Sequence, residues 1–144
     1  MELKLKRKRI SEANIQAEFY HQCRTLSIPC YLEYKQDTSR FDAVIYDPIT
    51  LKILIIIEIK NSKKSKVNEE TKQFNKYKKF NIPIIVIRNS RDIKEAIVNI
   101  LRFQWQNEFD VELKNKIQTA AENYKIDNSH KYIVTLEERL ILKT

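Results

Sequence analysis

Glu12, Asp42, Glu58, Lys60 and Gln73 are the residues whose types and spacing could do chemistry in this chain. Two carboxylates brought together can hold a hard divalent cation, and magnesium usually takes only one or two protein carboxylates because it keeps several of its waters. Such a cation polarises a phosphate and lowers the pKa of a bound water, which is what phosphodiester hydrolysis needs. Asp42 and Glu58 are the pair expected to hold it, with Glu12 as an outer-shell or second-metal acid. Lys60 follows Glu58 by two residues, about 7 Å along an extended strand. It is placed either to orient the attacking water or to stabilise charge developing on the phosphate. Gln73 and Tyr77 stand one helical turn apart and could hold Lys60, the water or a phosphate, the plainer reading being a helix face with one packed Tyr.

The element that must position Glu58 and Lys60 is the run 51–61, LKILIIIEIKN. Its alternation puts Leu54, Ile56, Glu58 and Lys60 on one face and Ile55, Ile57 and Ile59 on the other. Apolar residues on both faces mark a central strand covered on each side. Charges at the end of such a strand are costly unless they pair or meet a metal or ligand; the plainer reading is a strand running out into solvent. Upstream, Arg40 to Tyr46 alternates as a second strand, with Asp42, Val44 and Tyr46 on one face and Phe41, Ala43 and Ile45 on the other. Asp47-Pro48-Ile49-Thr50 reads as a turn, so the two strands form an antiparallel hairpin with Asp42 and Glu58 at the end away from it. A two-residue loop at Pro48-Ile49 would pair Asp42 with Ile55 and turn Glu58 to the other face. Bringing the acids together therefore requires an odd loop or a bulge that shifts the register by one.

Ser11 is a good N-cap for a helix from Glu12 to about Leu26, with Ile15, Phe19, Cys23 and Leu26 as its apolar stripe. At 100° per residue Glu12 falls within that stripe and Glu18 falls off it, so Glu12 is the acid expected to point inward. The plainer account of Glu12 is an acid favoured by the helix dipole. A strand over Cys30 to Tyr34 and a polar turn to Ser39 lead into the hairpin. After it come a basic loop 61–66, a helix from about Asn68 to Phe80, a strand Pro83 to Ile87, and a helix from Ser90 to Gln106. Asn81 and Pro83 supply the stop between helix and strand. Leu113, Ile117, Ala120 and Tyr124 recur at helical spacing, and Tyr132 to Leu142 is apolar enough for a strand or a short helix.

Composition bounds the rest. The chain has 144 residues, one domain's worth, with 42% hydrophobic and 32% charged residues. Its 27 Lys and Arg against 19 Asp and Glu leave a net charge of +8, which favours a polyanionic partner. Arg7, Lys8 and Arg9 in the N-terminal arm and Lys63, Lys64 and Lys66 in the basic loop are the expected phosphate contacts. There is no glycine, so a Gly-rich phosphate cradle is excluded, and backbone positions of positive φ are expected on Asn. Two cysteines fit reduced, partly buried thiols, and with only two histidines beside them a structural zinc site is not expected. No apolar run approaches a membrane span and the N-terminus lacks a signal-peptide core, so the expected location is intracellular, cytoplasmic.

The acid on the first helix, Asp42, Glu58-Ile59-Lys60 and Gln73-Phe-Asn-Lys-Tyr77 together resemble the PD-(D/E)xK nuclease superfamily. The Gln73 to Tyr77 run looks like the Q-x-x-x-Y element of RecB-like branches, and Ser11 to Gln16 is similar to the opening of virus-type replication–repair and resolvase-like branches. The resemblance covers roughly residues 11 to 87 and departs from the motif at Phe41, where Pro is common. It implies an α/β, restriction-endonuclease-like αβββαβ core with a central mixed sheet flanked by helices over 11–107, preceded by a basic arm, 1–10, and followed by a C-terminal extension, 108–144. It also implies a Mg²⁺-dependent DNA endonuclease, with Mn²⁺ able to substitute, acting as a homodimer or with a partner protein to cut both strands. The alternative is a non-catalytic nucleic-acid-binding or scaffold protein that keeps the fold. Against it stand a competent residue at each expected catalytic position and aromatics that mostly lie at core spacing. A membrane-surface role for the arm is a distant third, for want of an amphipathic partner face.

Overall fold

The architecture was obtained as a computed structural model, in which residues 2–3, 11–60 and 78–127 are described. The elements are α1 (Glu12–Thr25), β1 (Cys30–Gln36), β2 (Ser39–Tyr46), β3 (Ile53–Ile59), a single 3-10 turn at Lys78–Phe80, β4 (Ile84–Ile87), α2 (Ser90–Gln106) and α3 (Val111–Asp127). The strands form one four-stranded mixed sheet in the order β1-β2-β3-β4, antiparallel across the first two pairings and parallel between β3 and β4. This is an α/β fold with the isoleucine-rich strand inside the sheet, as its two apolar faces demand. The expected helix 68–80, except for its last turn, lies outside the described residues, as does 128–144.

Local signals account for most element boundaries. The Ser11 hydroxyl accepts from Asn14 N–H and caps α1; the Asn89 side chain accepts from the N–H groups of Arg91 and Asp92 and caps α2. α1 ends in a Schellman motif, with Ser27 N–H donating to Arg24 O and Ile28 N–H to Cys23 O. The position that motif reserves for glycine is held by Ser27 at φ 57°. Among the described residues the other positive-φ positions are Glu33, Asp37, Leu51 and Asn81. Of these, the expectation that Asn would carry such positions holds at Asn81, while tertiary connections place the others without regard to propensity. A left-handed non-glycine residue costs roughly 1–2 kcal/mol. Ser27→Gly should therefore raise unfolding free energy by about 1 kcal/mol, after the entropy that glycine adds to the unfolded chain. Urea denaturation checks this; an unchanged midpoint would mean Ser27 sits there without strain.

The sheet separates two cores. On one face, Ala43, Ile45, Ile55, Ile57, Ile59 and Ile87 pack under Ile15, Phe19 and Cys23 of α1 and Ile93, Ile97 and Ile100 of α2, with Tyr124 of α3 joining them. Each of these isoleucines contributes roughly 1.5–3 kcal/mol by leaving water. Both thiols lie in this core, more deeply than expected: Cys23 and Cys30 are free and buried. The hydrogen bond Cys23 shares with Cys30, together with burial, pushes its pKa far up, so it is a packing thiol and not a nucleophile. On the opposite face Phe41, Val44 and Ile56 form a smaller cluster with Tyr34, Ile53, Phe80, Ile82 and Ile84.

Two side-chain placements differ from strict alternation. Phe41 belongs with Val44 and not with Ala43 and Ile45. Glu33, beside Asp42 in the β1–β2 ladder, has φ 53°, and the pair Glu33–Asp42 is the one missing from an otherwise continuous register. Both strands kink there, and the facing of Phe41 and Tyr34 reverses. Leu54 packs with the larger core and Ile53 with the smaller, because a bulge between Ile45 and Tyr46 and their partners leaves Leu54 as the extra residue.

Candidate active site

The bulge determines what faces what. Ile45 pairs with Ile55, Val44 with Ile56 and Ala43 with Ile57, a register that one further step along both strands would extend to Asp42 and Glu58. Without the bulge, the Tyr46–Ile53 register would carry on unshifted and turn these two residues to opposite faces. The required register shift is present, although the connection is longer than a two-residue loop. Asp47 N–H donates to Lys52 O, Leu51 N–H donates to Asp47 O, and the Asp47 carboxylate accepts from Ile49 and Thr50 N–H.

Beyond Ala43 the two strands stop pairing through backbone groups. Asp42 Oδ2 instead accepts from Ile59 N–H at 2.8 Å, which sets the carboxylate against the peptide that joins Glu58 to Ile59. Glu58 is 1% exposed, and its Oε2 lies 3.7 Å from Lys60 Nζ. Lys60 stays in line with β3 because its N–H donates to Ile87 O of β4. The end of the central strand thus carries a buried acid with an ammonium beside it, and a second acid, from β2, bonded to the next peptide.

Gln16 is the residue that sequence reasoning missed. Its Nε2 donates to Asp42 O at 2.8 Å and to Glu33 Oε1 at 3.1 Å, clamping α1 onto the kink shared by β1 and β2. Arg40 donates through Nε and Nη2 to Glu33 Oε2. The Arg40 guanidinium, followed by the Gln16 amide, holds the Glu33 carboxyl below its ordinary range. The available signal was phase: Gln16 lies one turn after Glu12 on the same side of the helix.

Glu12 itself departs from expectation. It is exposed at the first position of α1, where an acid is favoured by the helix dipole. Glu18 is turned elsewhere, accepting from Gln22 Nε2 at 3.2 Å, while Gln22 Oε1 accepts from Tyr124 OH at 2.7 Å. Among the described residues no group of three or more His, Cys, Asp or Glu side chains is arranged to hold a metal ion. His21 is exposed, as expected of a surface residue. Gln73, Tyr77, Arg7, Lys8, Arg9, Lys63, Lys64 and Lys66 lie outside the described residues. Among the described residues no helix is long and apolar enough to cross a membrane. Comparison with protein families, curated proteins and solved structures gives no match to this chain.

Proposed function

We propose that the chain is a metal-dependent DNA endonuclease built on a restriction-endonuclease-like framework. The observation that carries this reading is the placement of Asp42 against the Glu58–Ile59 peptide, with Lys60 beside a Glu58 that is almost wholly buried. Burying a carboxylate costs several kcal/mol, and an ion pair with one partly exposed ammonium returns little more than that cost. A buried carboxylate beside an ammonium at the end of a strand suits a cation and an anionic substrate.

Asp42 and Glu58 would hold magnesium, or manganese in its place. Their donor chemistry fits, since hard cations take carboxylate oxygens and a carboxylate that accepts one backbone N–H still has acceptor capacity. When bound, the ion would supply charge stabilisation at the phosphate and an acidified water. The chain's own residues do the rest. Lys60 holds a proton-donating ammonium at the mouth of the site, where it orients the water or meets the charge that develops on the phosphate. Gln16 keeps the Asp42 backbone in place, so the carboxylate does not swing away as the strands part. The net charge of +8 draws the DNA backbone in without selecting a sequence, and a second copy or a partner protein would supply the cut on the other strand.

Incubation with supercoiled plasmid, linear duplex and a four-way junction, in Mg²⁺ or in EDTA, tests this directly. Nicking that requires the cation is expected, with the preferred substrate naming the branch. Binding of all three with no cleavage under Mg²⁺ or Mn²⁺ would favour the non-catalytic reading instead.

A further inference from the structure

On the face of the sheet that carries Val44 and Ile56, Phe80 and Ile82 are the described residues from outside the strands that pack against the cluster, and a groove of about 410 Å³ opens between Tyr31, Tyr34, Val44, Tyr46, Leu51 and Ile53. That volume lies within the range of small-ligand sites. Tyr31 is 58% exposed and Leu51 71% exposed, so Tyr31 is an exception among aromatics expected mostly at core spacing. β1 is the outermost strand of the sheet, and none of the three described helices contributes to the cluster on this face.

We infer that this groove is a stacking site for unpaired nucleobases, the bases of a single-stranded segment running past Asp42 and Glu58. Three observations carry it. The rings are held for stacking: Tyr34 lies parallel to Phe41 at 6.3 Å and 9°, and Tyr31 stands edge-on to Tyr34 at 6.1 Å, so little side-chain freedom remains to be lost on binding. The charge around the groove suits a polyanion. Lys52, between the lining residues Leu51 and Ile53, is exposed and the chain carries a net charge of +8, while Asp47 in the adjoining turn is engaged by the N–H groups of Ile49 and Thr50. The position is also continuous with the acid pair, since Val44 in the groove floor pairs with Ile56, two residues and about 7 Å before Glu58 along the strand. A second copy of the chain is the poorer occupant, because a stable interface takes about 800 Å² from each partner, far more than this groove offers. The inference deepens the nuclease reading by giving the substrate unpaired bases beside the scissile phosphate; that link rests on the nuclease reading, while the stacking itself does not.

The test is fluorescence anisotropy with labelled oligothymidylate, oligouridylate, an abasic strand of equal length and a duplex, all in EDTA so that cleavage plays no part. Tyr31→Ala and Tyr46→Ala should each weaken binding of the base-bearing single strands by roughly five- to hundredfold. Tyr31→Phe and Tyr46→Phe should bind as the wild type does, since the π-face remains. Abasic and duplex binding should not change in any variant; the two base-bearing strands decide between DNA and RNA. Equal losses on the abasic strand, or no loss at all, would overturn the stacking site. So would a change of oligomeric state on sedimentation with oligonucleotide binding untouched, which would make the groove a contact between copies. A chain that cleaves nothing in Mg²⁺ but stacks bases as described would sink the nuclease reading and leave this one standing.

Discussion

Lys60→Ala should lower phosphodiester cleavage by roughly 10²–10⁴-fold, the scale for a positioned proton-transfer group, while divalent-cation binding stays largely intact. Glu58→Ala should lose both, because it removes one of the two carboxylates proposed to hold the ion. The contrast follows from the geometry: the residues are neighbours on one face, 3.7 Å apart at their charged atoms, yet only one of them can be a ligand. DNA binding by Glu58→Ala should survive or tighten, since an anion has left the vicinity of a phosphate. Lys60→Arg should not restore activity, as a planar fork does not place one donor where an ammonium sat. Calorimetry with Mg²⁺ or Mn²⁺, run beside plasmid nicking, reads both effects. Full nicking by Lys60→Ala, or unchanged metal binding by Glu58→Ala, would show that the two charges merely close off the end of a strand.

The second large effect separates what Asp42 does for the fold from what it does for the chemistry. Its Oδ2 takes the hydrogen bond that a β2 carbonyl would otherwise accept from Ile59. Asp42→Ala leaves that partly buried N–H without its acceptor, at a cost of roughly 1–3 kcal/mol. Asp42→Asn keeps an oxygen in the same place and should fold with nearly wild-type stability. Both substitutions should abolish Mg²⁺-dependent cleavage, because an amide is a weak ligand for a hard cation. Chemical denaturation and nicking measured on the same preparations decide it. An Asn variant that cuts at the wild-type rate would remove Asp42 from the proposed ligand pair, whatever its stability.

Helix ends and strand identities were legible in the sequence because nearest neighbours decide them. Ser11 before an apolar stripe of helical spacing starts α1, Asn81 and Pro83 separate the 3-10 turn from β4, and seven Ile or Leu between Leu51 and Ile59 can only be a strand covered on both faces. The period-2 pattern also placed Glu58 and Lys60 on one side of β3, and the need for a shifted register followed from counting residues across the hairpin. Tertiary structure alone decided the rest. Nothing local says that Leu54 is the bulged residue, that Glu33 turns left-handed and carries Tyr34 and Phe41 to the other face, or that Gln16 reaches Asp42. Each is a compromise between two strands, or between a helix and a strand, distant in sequence. The energy differences involved, about 1–2 kcal/mol for a left-handed residue, are small enough for packing elsewhere to override. The exposure of Tyr31 has a similar origin: it lies on β1, the outermost strand of the sheet, a position that only the strand order decides.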